Sequence, residues 1–80
     1  MQHIEKFLRK LTKNERIKIE KTIRDILVGH IEGLNVKRMK HEGFVFRVRV
    51  GRVRIIYKII ESGVVIVKVG WRDDNTYKNY

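Results

Sequence analysis

The chain contains no cysteine. That excludes a disulfide framework and any thiolate metal site. It contains no proline either, and no Pro/Gly/Ser-rich stretch divides it into parts. Its three histidines, His3, His30 and His41, share no metal-ligand spacing, so no metal and no cofactor is expected. No apolar run approaches the ~20 residues of a membrane span. No signal-peptide pattern opens the chain, so a cytoplasmic location is expected. Acidic residues are scarce: nine Asp+Glu stand against nineteen Lys+Arg, which leaves +10 on 80 residues and a pI near 10.3.

What is present fits one small α+β domain with a thin core. A hydrophobic content of 42% argues against global disorder. A surplus of positive charge destabilises a compact chain by self-repulsion, and a chain that tolerates it usually meets a polyanion. Nucleic acid is the first expectation. An acidic protein, an anionic membrane surface or a thermophile surface are the alternatives. Thermophile surfaces raise Lys and Glu together, whereas here the basic side alone is raised.

The charge is concentrated. Residues 37–58 hold eight basic side chains, Lys37, Arg38, Lys40, Arg47, Arg49, Arg52, Arg54 and Lys58, against the single acid Glu42. That segment supplies +7 of the net +10.

The pattern of apolar residues sets helices before strands. In residues 2–11, Ile4, Phe7, Leu8 and Leu11 fall at i, i+3, i+4 and i+7, one stripe of a helix. Thr12 and Glu15 have capping-box spacing. They start a second helix, expected from about Lys13 to Val28, with Ile19, Ile23, Ile26 and Leu27 as its stripe and Gly29 as its stop. Residues 1–29 thus form a helical hairpin. Residues 43–70 read as an antiparallel meander of about three strands. In the first, Phe44, Phe46, Val48 and Val50 share one face, and Arg47 and Arg49 the other. In the second, at 53–60, Val53, Ile55, Tyr57 and Ile59 oppose Arg54 and Lys58. The third covers 64–69, with Lys68 a candidate for the basic face, and residues 71–80 form a polar, aromatic tail.

A basic face with nearby Tyr and Trp suits one reaction in particular. The 2′-hydroxyl of RNA can attack its own adjacent phosphate, given a proton acceptor, a proton donor and positive charge against the developing phosphorane. The nucleophile then belongs to the substrate, which makes such chemistry RNA-specific. Arginines at i and i+2 on a strand, joined by one from the neighbouring strand, can converge on a phosphate.

The run Phe46-Arg-Val-Arg-Val-Gly-Arg-Val-Arg-Ile-Ile-Tyr57, followed by Val67-Lys-Val-Gly-Trp-Arg72, resembles the RelE/ParE toxin superfamily of toxin–antitoxin modules. The likeness covers about residues 4–77. It is closer to the RelE type, whose members are ribosome-dependent mRNA endonucleases. The resemblance implies a RelE-like fold, a cognate antitoxin protein, and the ribosome and mRNA as further partners. It implies catalytic roles for Lys40, Arg47, Arg49, Arg54, Arg72 and Tyr77. Arg54 would clamp the phosphate, and Arg72 would stabilise the transition state or act as acid. Tyr77 would stack or carry a proton, while Lys40, Arg47 and Arg49 would position the backbone or supply acid/base function. Lys37, Arg38, Arg52, Lys58 and Trp71 are the expected nucleic-acid contacts, Trp71 alternatively closing one end of the core. The family opens with a strand before its hairpin, whereas this chain begins almost at the helix, so one sheet edge is expected to be bare. Two other functions fit the same fold: poisoning of DNA gyrase, as in the ParE type, and RNA or antitoxin binding without catalysis.

Overall fold

Two helices precede a sheet. A computed structural model of the protein describes residues 2–39 and 43–72. Helix α1 spans Gln2–Leu8 and α2 spans Lys13–Leu27. Between them the chain turns on the carbonyls of Phe7 and Leu8, which accept from Lys10 N at 3.0 Å and Leu11 N at 3.2 Å. Thr12 then caps α2. Its Oγ1 accepts from Glu15 N at 3.2 Å, and its own N–H donates to Glu15 Oε1 at 3.1 Å. A reciprocal cap of this kind is worth about 1 kcal/mol. At the other end Gly29 adopts φ +82°. His30 N reaches back to Asp25 O and Gly29 N to Ile26 O, the Schellman pattern that a left-handed glycine permits.

The sheet has four antiparallel strands in sequence order, β1 Asn35–Arg38, β2 Val45–Val50, β3 Val53–Ile60 and β4 Gly63–Trp71. The expected count of three omitted β1. Its four residues, Asn-Val-Lys-Arg, hold a single apolar side chain, so no alternation marks them as a strand. It exists because β2 offers it an edge, pairing Val36 with Val48 and Lys37 with Arg47. β4 is longer than expected and takes in Gly70 and Trp71.

Both helices pack on one face of the sheet. Ile4 and Phe7 of α1 and Ile19 and Ile26 of α2 meet Val48, Val53, Ile55, Tyr57, Ile66 and Val69. Tyr57 is buried there and stacks on Phe46, with centroids 5.2 Å apart. Burial raises its phenol pKa. Thr22 completes the buried stripe of α2, its hydroxyl donating to Lys18 O at 2.9 Å. Leu27, expected in that stripe, is exposed. Phe44 is also exposed, contrary to expectation. It precedes β2, where Arg38 lies over its ring at 5.5 Å.

A bulge between Ile56 and Tyr57 sets the faces of β4. Ile56 pairs with Lys68 and Tyr57 with Ile66, so Val67 is the extra residue. Strict alternation would put Ile66 and Lys68 on the same side. The bulge lets Ile66 and Val69 enter the core while Lys68 joins the opposite, basic face.

Candidate nucleic-acid interface

Strand register arranges the basic side chains in rows across the face opposite the helices. In one row Asn35 lies against Arg49, Arg49 against Arg54, and Arg54 against Gly70. In the next, Lys37 lies against Arg47, Arg47 against Ile56, and Ile56 against Lys68. A third row pairs Val45 with Lys58 and Lys58 with Val65. Directly opposed side chains stand about 5 Å apart at Cβ. The sheet therefore holds Arg49 and Arg54 side by side, with Gly70 adding no side chain beside them.

The arginine row opens into a cleft of about 570 Å³ lined by Arg49, Gly51, Arg52, Arg54, Trp71 and Arg72. The two-residue turn Gly51-Arg52 joins β2 to β3, and Gly51 takes φ +56°, a conformation that favours glycine. This turn is tied to the end of β4 twice. Arg72 N donates to Arg52 O at 2.8 Å, and Arg72 Nη1 donates to Gly51 O at 3.1 Å. A guanidinium has five N–H donors, so this anchoring leaves Arg72 most of its hydrogen-bonding capacity. Arg54 is only 4% exposed, whereas Arg72 is exposed. Arg49 Nε is buried and has no hydrogen-bond partner among the described residues. A buried, unsatisfied donor on a cation is costly, and an anion in the cleft would relieve that cost.

Arg52 leaves the turn in the other direction. Its Nε and Nη2 donate to Glu15 Oε2 at 3.0 and 2.8 Å, and its guanidinium carbon lies 4.8 Å from the centroid of Trp71. Trp71 in turn meets Phe7 edge-on, centroids 4.8 Å apart at 65°. The backbone N–H of Thr12, and after it the Arg52 guanidinium, hold the Glu15 carboxyl below its ordinary pKa.

The structure thus brings together five of the expected residues: Arg49, Arg52, Arg54, Arg72 and Trp71. Arg47 and Lys37 occupy the adjacent row of the same face, and Lys58 lies one row further. Arg38 departs from expectation. It pairs with Phe46 on the helix side of the sheet, and its Nε donates to Gly43 O at 2.7 Å. Lys40 and Tyr77 lie outside the described residues, as do His41 and the tail beyond Arg72. Sequence reasoning missed the second role of Glu15. Capping-box spacing explains one of its oxygens, but the other holds Arg52 across 37 positions, a contact without a local signal.

Among the described residues no group of three or more His, Cys, Asp or Glu side chains could hold a metal ion. No described helix is long and apolar enough to cross a membrane. No family model, curated protein or solved structure matches this chain.

Proposed function

We propose that this protein is the toxin of a toxin–antitoxin module, a RelE-like endoribonuclease that cuts mRNA on the ribosome. The observation that carries the reading is the convergence of Arg49, Arg54 and Arg72, from β2, β3 and the end of β4, around one open cleft. Three guanidinium groups held by a rigid sheet suit a phosphodiester in its ground state and a phosphorane still better, since the latter carries more negative charge. In the proposed reaction the 2′-oxygen bonds to phosphorus and the bond from phosphorus to the 5′-oxygen breaks. The 2′-hydroxyl gives up its proton, the departing 5′-oxygen gains one, and a 2′,3′-cyclic phosphate remains. Guanidinium stays charged throughout, so Arg49, Arg54 and Arg72 bind and stabilise. Of the residues to which the resemblance gives a possible acid or base role, the arginines are excluded by that fixed charge, and Lys40 and Tyr77 remain for proton transfer. An acidic antitoxin segment that folds over the basic cleft would silence the protein, and the site of action would be the cytoplasm.

Primer extension on an mRNA in a purified translation system tests this. Ribosome-dependent cuts are expected. Arg72→Ala should reduce them about 100-fold or more, the usual effect of deleting one charge-stabilising donor. Arg72 is exposed, so its loss should leave the fold intact. No cuts by folded protein, or cuts that survive Arg72→Ala, would overturn the reading. RNA binding without cleavage is favoured by one feature: among the described residues, every titratable side chain lining the cleft is an arginine. Retention of uncut mRNA, lost in Arg72→Ala, would select it.

A further inference from the structure

Arg52 differs from its neighbours in the cleft. Two of its donors are already occupied by Glu15 Oε2, at 3.0 and 2.8 Å, and that carboxylate balances its charge. It is therefore a weaker phosphate ligand than Arg49, whose Nε is unsatisfied among the described residues. Yet it is fixed in place. Glu15 holds its edge, Trp71 supports it at 4.8 Å, and Phe7 supports Trp71. Two-thirds of the side chain, 66%, is nevertheless exposed. The result is a flat cation, braced from below and open on its outer side, at the rim of an arginine-lined cleft. Planar guanidinium groups stack on the faces of nucleobases, and a braced one gives up little conformational freedom in doing so.

We propose that the outer side of the Arg52 guanidinium stacks a nucleobase of single-stranded RNA whose neighbouring phosphate lies among Arg49, Arg54 and Arg72. This rests on the phosphate-binding reading of the cleft and adds to it a base platform, Phe7–Trp71–Arg52, with Glu15 as its brace. A duplex, its bases stacked on one another, cannot use such a platform, so the site selects unpaired strands.

The test compares two labelled pentamers of equal charge by fluorescence anisotropy without ribosomes: 2′-O-methyl oligouridylate and its abasic counterpart. The wild type should bind the base-bearing strand about five-fold tighter or more, the low end of one stacked base. Arg52→Lys keeps the charge but removes the plane. It should bring the base-bearing strand down to the affinity of the abasic one. Trp71 is the sole tryptophan, so its emission should respond to the base-bearing strand more than to the abasic one. Equal binding of both strands by the wild type would overturn the platform and leave the phosphate cleft standing. Failure to bind either strand at low salt would overturn the cleft and the platform together. Full base preference in Arg52→Lys would show that the base rests elsewhere, and would overturn the role of Arg52.

Discussion

Ile55 and Ile56 are neighbours on β3, both fully buried, and they face opposite sides of one sheet. Ile55 sits between Val48 and Val69 beneath the helices. Ile56 sits between Arg47 and Lys68. The first is buried by apolar neighbours that interlock. The second is flanked by two long side chains with aliphatic stems. One face is built for cohesion. The other sets like charges opposite each other, Arg49 against Arg54 and Lys37 against Arg47, an arrangement that destabilises a sheet. These like-charge pairs break a local rule of sheet pairing, and such breaks are expected where a protein meets a ligand.

The comparison can be broken by equal truncations. Ile55→Ala should be the most damaging, at about 3–5 kcal/mol, because the interlocked side chains around it cannot collapse into the gap. Ile56→Ala should cost less, about 2 kcal/mol, because long flexible stems can move inward. Urea midpoints of the two variants measure the difference. Equal losses would show that the basic face is packed as rigidly as the helix face.

A second substitution sharpens the contrast from the other side. Arg49→Gln removes one of two directly opposed cations and leaves Arg54 in place. It should stabilise the protein by about 0.5 kcal/mol at low ionic strength, with the gain fading as salt screens the repulsion. The same change should weaken RNA binding and flatten its salt dependence by about one phosphate contact. Stability and binding moving together, both down, would mean that Arg49 belongs to the fold and not to the site.

The two faces also differed in how legible they were. The cap at Thr12 and Glu15, the stop at Gly29 and the span of β3 could be read directly, since each depends on local spacing or short-range alternation. Alternation also put Arg47, Arg49 and Arg54 on one face, but it did not show that Arg47 falls in the row beside the cleft, and Arg72 entered only through the family resemblance. β1 could not, because its four residues become a strand only against β2. The placement of Lys68 needed the bulge at Val67, which periodicity cannot show. Arg38 was misread because charge alone does not reveal which side of a strand a residue takes, and its partner Phe46 puts it on the helix side. The link from Glu15 to Arg52 joins α2 to the turn after β2, and neither residue type at either position announces it.

That link gives the smallest predicted effect and the most specific one. Glu15→Gln keeps a group able to accept from Thr12 N, because glutamine also completes a capping box, but it removes the charge that holds Arg52. Glu15 has a lowered pKa in the folded protein, first through Thr12 N and then through Arg52. A carboxylate of this kind contributes stability above its unfolded pKa, near 4.5, and that contribution is lost as pH falls through the lower folded value. The wild type should therefore melt slightly above Glu15→Gln at pH 7, and the two curves should converge as pH falls through the lowered folded value. Glu15→Gln should also loosen the brace under Arg52 and reduce the preference for a base-bearing strand over an abasic one. A Tm difference that persists at pH 3 would show that the variant disturbs the helix cap itself and not the charge link between α2 and the cleft.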